Sequence, residues 1–173
     1  MISRLPVVLL GPPGSGKSAV GMALARRGLR WRDWEMLLLE RWGSTQNFAA
    51  NKSAALTAHH DELRAFIDAP GAAAVMESTG LSDAAFLDAL ATRKPLVVRL
   101  DVSADEALRR IDAREPGHHF SDDVELNRMV WGRFYELVAP ARSCELTVDT
   151  ELISIEETAG LVLAALAKGT TTD

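Results

Sequence analysis

A chain of 173 residues, 47% hydrophobic and 25% charged, carries enough apolar material for one globular domain with a real core, which excludes a largely disordered protein. Its formal charge of −5 excludes a protein whose affinity comes from neutralising many nucleic-acid phosphates, so no nucleic-acid partner is expected. The single cysteine, Cys144, forms neither an internal disulfide nor a multi-thiolate metal site, and a reducing, cytoplasmic setting is expected.

In chain order, the apolar run at residues 5–10 is too short for a signal-peptide core or a membrane span; it predicts a buried strand, and no membrane partner. Residues 18–27 predict a helix closed by Gly28, and residues 29–32 a short extended piece. A helix over 34–42 stops at Gly43, and a longer one covers 51–69. After the Pro70-Gly71 turn, residues 72–76 predict a strand buried on both faces, and 82–91 a helix. Residues 95–100 predict another strand. Ser103 with Glu106 forms a capping box opening a helix to Arg114, and 115–121 break the pattern. A helix over 122–138, a strand at 146–148, and a second capping box, Ser154 with Glu157, opening a helix to 166 complete the chain before a polar tail at 169–173. Alternation of this kind predicts an α/β fold in three layers, a parallel five-stranded sheet with helices on both faces and ligands at the carboxyl ends of the strands.

The segment Gly11-Pro12-Pro13-Gly14-Ser15-Gly16-Lys17-Ser18, followed by Ala19, satisfies G-x-x-x-x-G-K-[ST] in full and sits between a predicted strand and a predicted helix. Such a loop turns backbone N–H groups toward phosphate oxygens, with the positive end of the following helix aimed at the same place. Lys17 is expected to reach the β and γ phosphates of ATP, and the Ser18 hydroxyl to ligate the accompanying Mg²⁺. This predicts a P-loop NTPase fold.

Beyond that loop the chain resembles the shikimate kinase family, and more loosely related small-molecule kinases such as gluconate kinase. The resemblance runs over nearly the whole length. Asp33-Trp34-Glu35 followed by Glu40, Arg41, Trp42 and Gly43 resembles the family's D-x-D segment and the helix after it. Residues 97–100 with Ser103, Glu106, Arg109 and Arg110 resemble the strand and helix leading to its lid, and residues 134–139 and 148–150 its closing segment. The resemblance implies an ATP-dependent kinase of a small-molecule acceptor, a single domain with core 1–33, 70–113 and 123–168, a substrate-binding segment 34–69 and a lid 114–122, working as a monomer or small homo-oligomer. It implies that Asp33 helps hold Mg²⁺ through water and that Glu35 hydrogen-bonds the hydroxyl to be phosphorylated. Independently of it, the two acids also suit the N-terminus of the next helix. It implies too that Arg110 lies against the adenine and Arg114 enters the lid, supplying a cation to the transferring phosphoryl group; otherwise both are solvated arginines near a helix end.

The family's substrate-binding positions are the ones that differ. Its first arginine falls near His59, its glycine turn becomes Glu77-Ser78-Thr79-Gly80 with only Gly80 retained, and its later arginine falls near Trp131, with Arg133 two residues on. Shikimate is therefore not the expected acceptor. Glu77, at a strand end, has two readings: orienting a Mg²⁺-bound water or an acceptor hydroxyl, or a solvated acid. His59, Glu77, Gly80 and Arg133 are the candidate acceptor contacts with Glu35. The tryptophans Trp31, Trp34, Trp42 and Trp131 suit either a flat acceptor or the core. The pairs His59-His60 and His118-His119 lack a third ligand and predict no metal site. A nucleoside or nucleotide kinase is the near alternative, but residues 33–69 hold only Arg41, Lys52 and Arg64 as cations; a regulatory P-loop module with slow hydrolysis is the alternative from another class.

Overall fold

Four consecutive apolar residues leave a strand no polar face, and such a strand belongs mid-sheet with cover on both sides. In the computed structural model, which describes residues 5–43, 45–114 and 123–169 apart from the side chains at 35, 39, 45 and 46, β1 (Val7–Leu10) is buried throughout and is the central strand. With β2 (Arg30–Trp31), β3 (Ala74–Ser78), β4 (Leu96–Asp101) and β5 (Leu146–Asp149) it forms a five-stranded sheet in the order β2-β3-β1-β4-β5, every pair parallel. The chain runs from β1 outward to β2, returns through β3, and crosses β1 to β4. The loops after β1 and β4 thus leave the sheet on opposite sides of a switch point, where a crevice opens at the carboxyl ends.

On one face α1 (Lys17–Arg26) and α8 (Ile155–Gly169) bury Val20, Ala23, Leu24, Val162 and Leu166 against Val7, Leu9, Val75 and Val98. The other face carries α4 (Lys52–Asp68), α5 (Ala84–Leu90) and the turn at 134–138 that follows α7 (Val124–Arg133), packing Leu63, Phe86, Leu87, Phe134 and Val138 on Val8, Leu10 and Met76. Each such side chain, fully buried, stabilises the fold by roughly 1.5–3 kcal/mol before entropy is counted. Of the other helices, α2 (Trp34–Trp42) packs on α3 (Thr45–Ala50), α3 on α4, and α6 (Ala104–Asp112) on α7. No helix among the described residues is long and apolar enough to cross a membrane.

The predicted architecture is the observed one, with local differences. β3 continues to Ser78, beyond the predicted end at 76, because Glu77 and Ser78 still pair with Leu9 and Leu10. α3 was not expected, its short polar-apolar pattern being too weak to register. The Ser154/Glu157 capping box forms reciprocally, Ser154 N–H donating to Glu157 (3.0 Å) and Glu157 N–H to Ser154 Oγ (3.3 Å). The Ser103 box forms by half: Glu106 N–H reaches Ser103 Oγ (3.3 Å), but the Glu106 carboxylate turns to Arg109 and Arg110, and Ser103 N–H donates to Glu151 instead. The predicted helix to 138 ends its regular part at Arg133 and finishes in one wide turn, Ala139 N–H donating to the Phe134 carbonyl at 2.9 Å. The pattern break at 115–121, with His118 and His119, lies outside the described residues.

Candidate active site

The loop after β1 passes to α1 through Gly14 and Gly16, at φ +79° and +86°, a backbone region that side chains rarely adopt. The loop is also tightly seated. A Cβ at Gly11 would lie 2.5 Å from Ser15 Oγ, and one at Gly14 would lie 2.5 Å from the Ala107 carbonyl of α6. Gly16 is the N-cap of α1 and brings no side-chain acceptor to the helix's first turn, the end to which an anion is drawn. Lys17 Nζ folds back over the loop to donate to the carbonyls of Gly11 (2.9 Å) and Pro12 (2.8 Å). A cradle of this shape, with a cation across it, fits a nucleotide's phosphates.

Ser18 Oγ donates to Glu77 Oε2 at 2.8 Å, and the other carboxylate oxygen, Oε1, accepts the Trp31 indole N–H at 2.6 Å. Glu77 stands on β3 opposite Leu9, one step from the strand end. Burial pushes its carboxyl up from the usual range; the Lys17 ammonium and the two hydrogen bonds oppose this, and the nearby charge of Asp33 adds to it. Lys17, Ser18, Glu77 and Asp33 therefore form one electrostatic cluster at the carboxyl ends of β1, β2 and β3. Asp33 Oδ1 accepts the Met36 N–H at 3.0 Å, so it also opens α2 in the way the local reading expected. The Glu35 side chain lies outside the described part. A serine hydroxyl on a buried carboxylate, with the charge of a second acid acting on it, offers the hard oxygens that suit Mg²⁺.

Arg110 spans the far side of the loop. It donates to the Gly14 carbonyl (3.3 Å), to Thr150 Oγ1 (2.9 Å) and to the Thr150 carbonyl (2.8 Å), while Glu106 holds its Nε at 2.7 Å. It thereby joins the loop to the segment after β5, the side on which the resemblance puts the adenine. Arg114 follows α6, its N–H donating to the Ile111 carbonyl at 3.1 Å; residues 115–122 of the expected lid lie outside the described residues.

The expected acceptor contacts divide. Glu77 joins the cluster. His59 is buried edge-on against Trp34, with ring centroids 5.5 Å apart, and burial lowers its pKa against the pull of Asp83. Gly80, at φ +73°, backs onto the core: a Cβ there would lie 2.7 Å from Val138. Arg133 is exposed and pairs with Glu136, so the structure does not bring it to the cluster. Trp131 donates to the Val102 carbonyl (3.1 Å) beyond β4, and Trp34 is in the core. Two features escaped the sequence. Trp31 reaches Glu77, and a brace runs from Gly80 N–H to Ser78 Oγ (2.8 Å), from Ser78 Oγ to Asp83 (2.9 Å) and between Asp83 and His60 (3.1 Å). The one local hint was Gly21, a glycine inside a helix.

No family model and no curated protein sequence matches the chain. Solved structures do. Shikimate kinase from Acinetobacter baumannii in complex with shikimate is 19% identical with a TM-score of 0.68, over 97% of this chain and 96% of that one. A gluconokinase from Sinorhizobium meliloti 1021 is 19% identical with a TM-score of 0.64, over 97% and 94%. Deoxyadenosine kinase from M. mycoides with bound dATP is 15% identical with a TM-score of 0.63, over 94% and 99%. The strand order, the loop after β1 and these three likenesses agree: the chain has the fold of the P-loop kinases.

Proposed function

We propose that this protein is an ATP-dependent kinase that transfers the γ-phosphoryl group to a hydroxyl of a small, uncharged metabolite other than shikimate. The observation that carries this reading is the Ser18–Glu77 hydrogen bond beside a seated phosphate loop, with the charges of Lys17 and Asp33 acting on the same carboxylate. A loop that only bound nucleotide would not need two carboxylates at its mouth. In this reading Lys17 turns from the loop carbonyls to the β and γ phosphates, and Arg110 flanks the base. Ser18 and Asp33 hold Mg²⁺, which supplies charge neutralisation on the phosphates. The Ser18 hydroxyl has one proton and two lone pairs, so donating the proton to Glu77 leaves the lone pairs for the metal. Glu35 orients the acceptor. The acceptor oxygen bonds to the γ phosphorus as the bond to the β–γ bridging oxygen breaks, ADP leaves, and the hydroxyl proton passes to a neighbouring carboxylate.

The pairing of three candidate cations with carboxylates supports an uncharged acceptor. Arg41 pairs with Glu62 and Arg64 with Asp61, both at the surface, and Arg133 pairs with Glu136. The test is ATP turnover with and without sugars, polyols, nucleosides and shikimate. Turnover should require an acceptor, shikimate should serve poorly, and Lys17→Ala should lower the rate on the order of 10²–10³-fold, with circular dichroism unchanged. Slow hydrolysis indifferent to every acceptor would favour a regulatory module instead.

A further inference from the structure

Ser18 and Gly21 are three residues apart on α1 and so share one face, the hydroxyl above and the glycine a turn below. The Trp31 indole occupies the notch beside that glycine: a Cβ on Gly21 would lie 2.2 Å from Trp31 Nε1 and 2.5 Å from its Cδ1. From the notch Nε1 donates to Glu77 Oε1, while Ser18 holds Oε2. Three elements, α1, β2 and β3, thus meet at one carboxylate. Its torsions about the carboxylate are fixed by two donors on different oxygens, neither of which can do this alone. An indole N–H donates only, so it leaves Glu77 an acceptor whichever way Ser18 turns.

We propose that Trp31 is a positioning residue: seated on Gly21, it fixes Glu77 so that Glu77 accepts the Ser18 proton and turns the Ser18 lone pairs outward to Mg²⁺. This rests on the kinase reading above. Trp31 touches neither nucleotide nor acceptor in this scheme, and it acts through Glu77 and Ser18 in the manner of partners that orient a metal ligand. It accounts for two otherwise unrelated choices, a glycine inside α1 and a large aromatic on a two-residue edge strand.

The experiment is calorimetry of ADP binding with and without Mg²⁺ for the wild-type protein, Trp31→Phe and Gly21→Ala. Trp31→Phe keeps a ring in the notch and loses the N–H; Gly21→Ala keeps the N–H and fills the notch. Both should bind ADP without Mg²⁺ within about twofold of wild type, and both should need on the order of tenfold more Mg²⁺ for the metal-dependent gain in affinity. In the ligand-free protein, Glu77→Ala should also move the Trp31 indole N–H resonance upfield. Either variant retaining the wild-type Mg²⁺ requirement, an equal loss with and without Mg²⁺, or an unmoved indole resonance overturns the role of Trp31 alone. A wild-type protein that binds ADP no better with Mg²⁺ overturns the kinase reading and this inference together, and the two failures are thereby told apart.

Discussion

Glu77 is a carboxylate held where ionisation is unfavourable, and its surroundings say why it is kept. Desolvation raises its pKa more than Lys17, Ser18 and Trp31 lower it, so ionising Glu77 costs the ligand-free fold more than it costs the unfolded chain. For an acid with a folded pKa above its unfolded value, the favourable contribution is full below the unfolded value, about 4.5, and is lost as pH rises through the folded one. Glu77→Gln removes that loss while keeping both contacts, since its carbonyl accepts from Trp31 and its amide donates to Ser18. The variant should therefore melt higher than wild type at pH 7 without ligand, with the difference shrinking toward pH 4, while losing turnover. Melting curves across that range check it. A variant that melts lower at pH 7 would mean that the two hydrogen bonds to the ionised form outweigh its burial.

At the scale of elements, the end of β3 sets the floor of the site. Ser78, Gly80, Asp83 and His60 brace the turn between β3 and α5, and Gly80 is fixed by two separate constraints. Its positive φ disfavours any side chain, and the Val138 methyl lies where a Cβ would go. Gly80→Ala should cost about 2–5 kcal/mol, the strain and overpacking terms together. Adding Val138→Ala should return only the packing part, since the backbone strain remains. Urea unfolding of both variants measures this, and a cost below about 0.5 kcal/mol for Gly80→Ala, within the usual range of surface substitutions, would show that the turn relaxes freely. The Gly80 position was legible as a retained glycine; its reason was not, because Val138 belongs to a helix end far along the chain.

For the whole molecule, what was legible was what is local. The loop after β1 is a contiguous motif, the strands are contiguous apolar runs, and the caps at Ser154 and Asp33 lie within a turn of their partners. What was not legible is carried by distant pairs: Trp31 meets Glu77 across 46 residues and Ser18 meets it across 59. The end of β3 was read short for the same reason, since Glu77 breaks the apolar run and only its pairing with β1 keeps it in the sheet. The site therefore exists only once the sheet is assembled, and whatever binds there stabilises the assembled state by mass action. At 100 times its dissociation constant, ADP with Mg²⁺ should add about 2.7 kcal/mol, or roughly 5–10 °C in melting temperature for a chain of this length. An acceptor that completes the site should add a further shift only when nucleotide is already present. Sugars, polyols and nucleosides are the classes to screen, with shikimate beside them. Shikimate is expected to add nothing, because the positions where the resemblance puts the family's arginines offer none to its carboxylate: His59 packs against Trp34, and Arg133 pairs with Glu136 at the surface. A nucleotide-dependent shift with shikimate as large as that of any neutral acceptor would reverse the assignment of an uncharged substrate and return the chain to the chemistry of its structural neighbour.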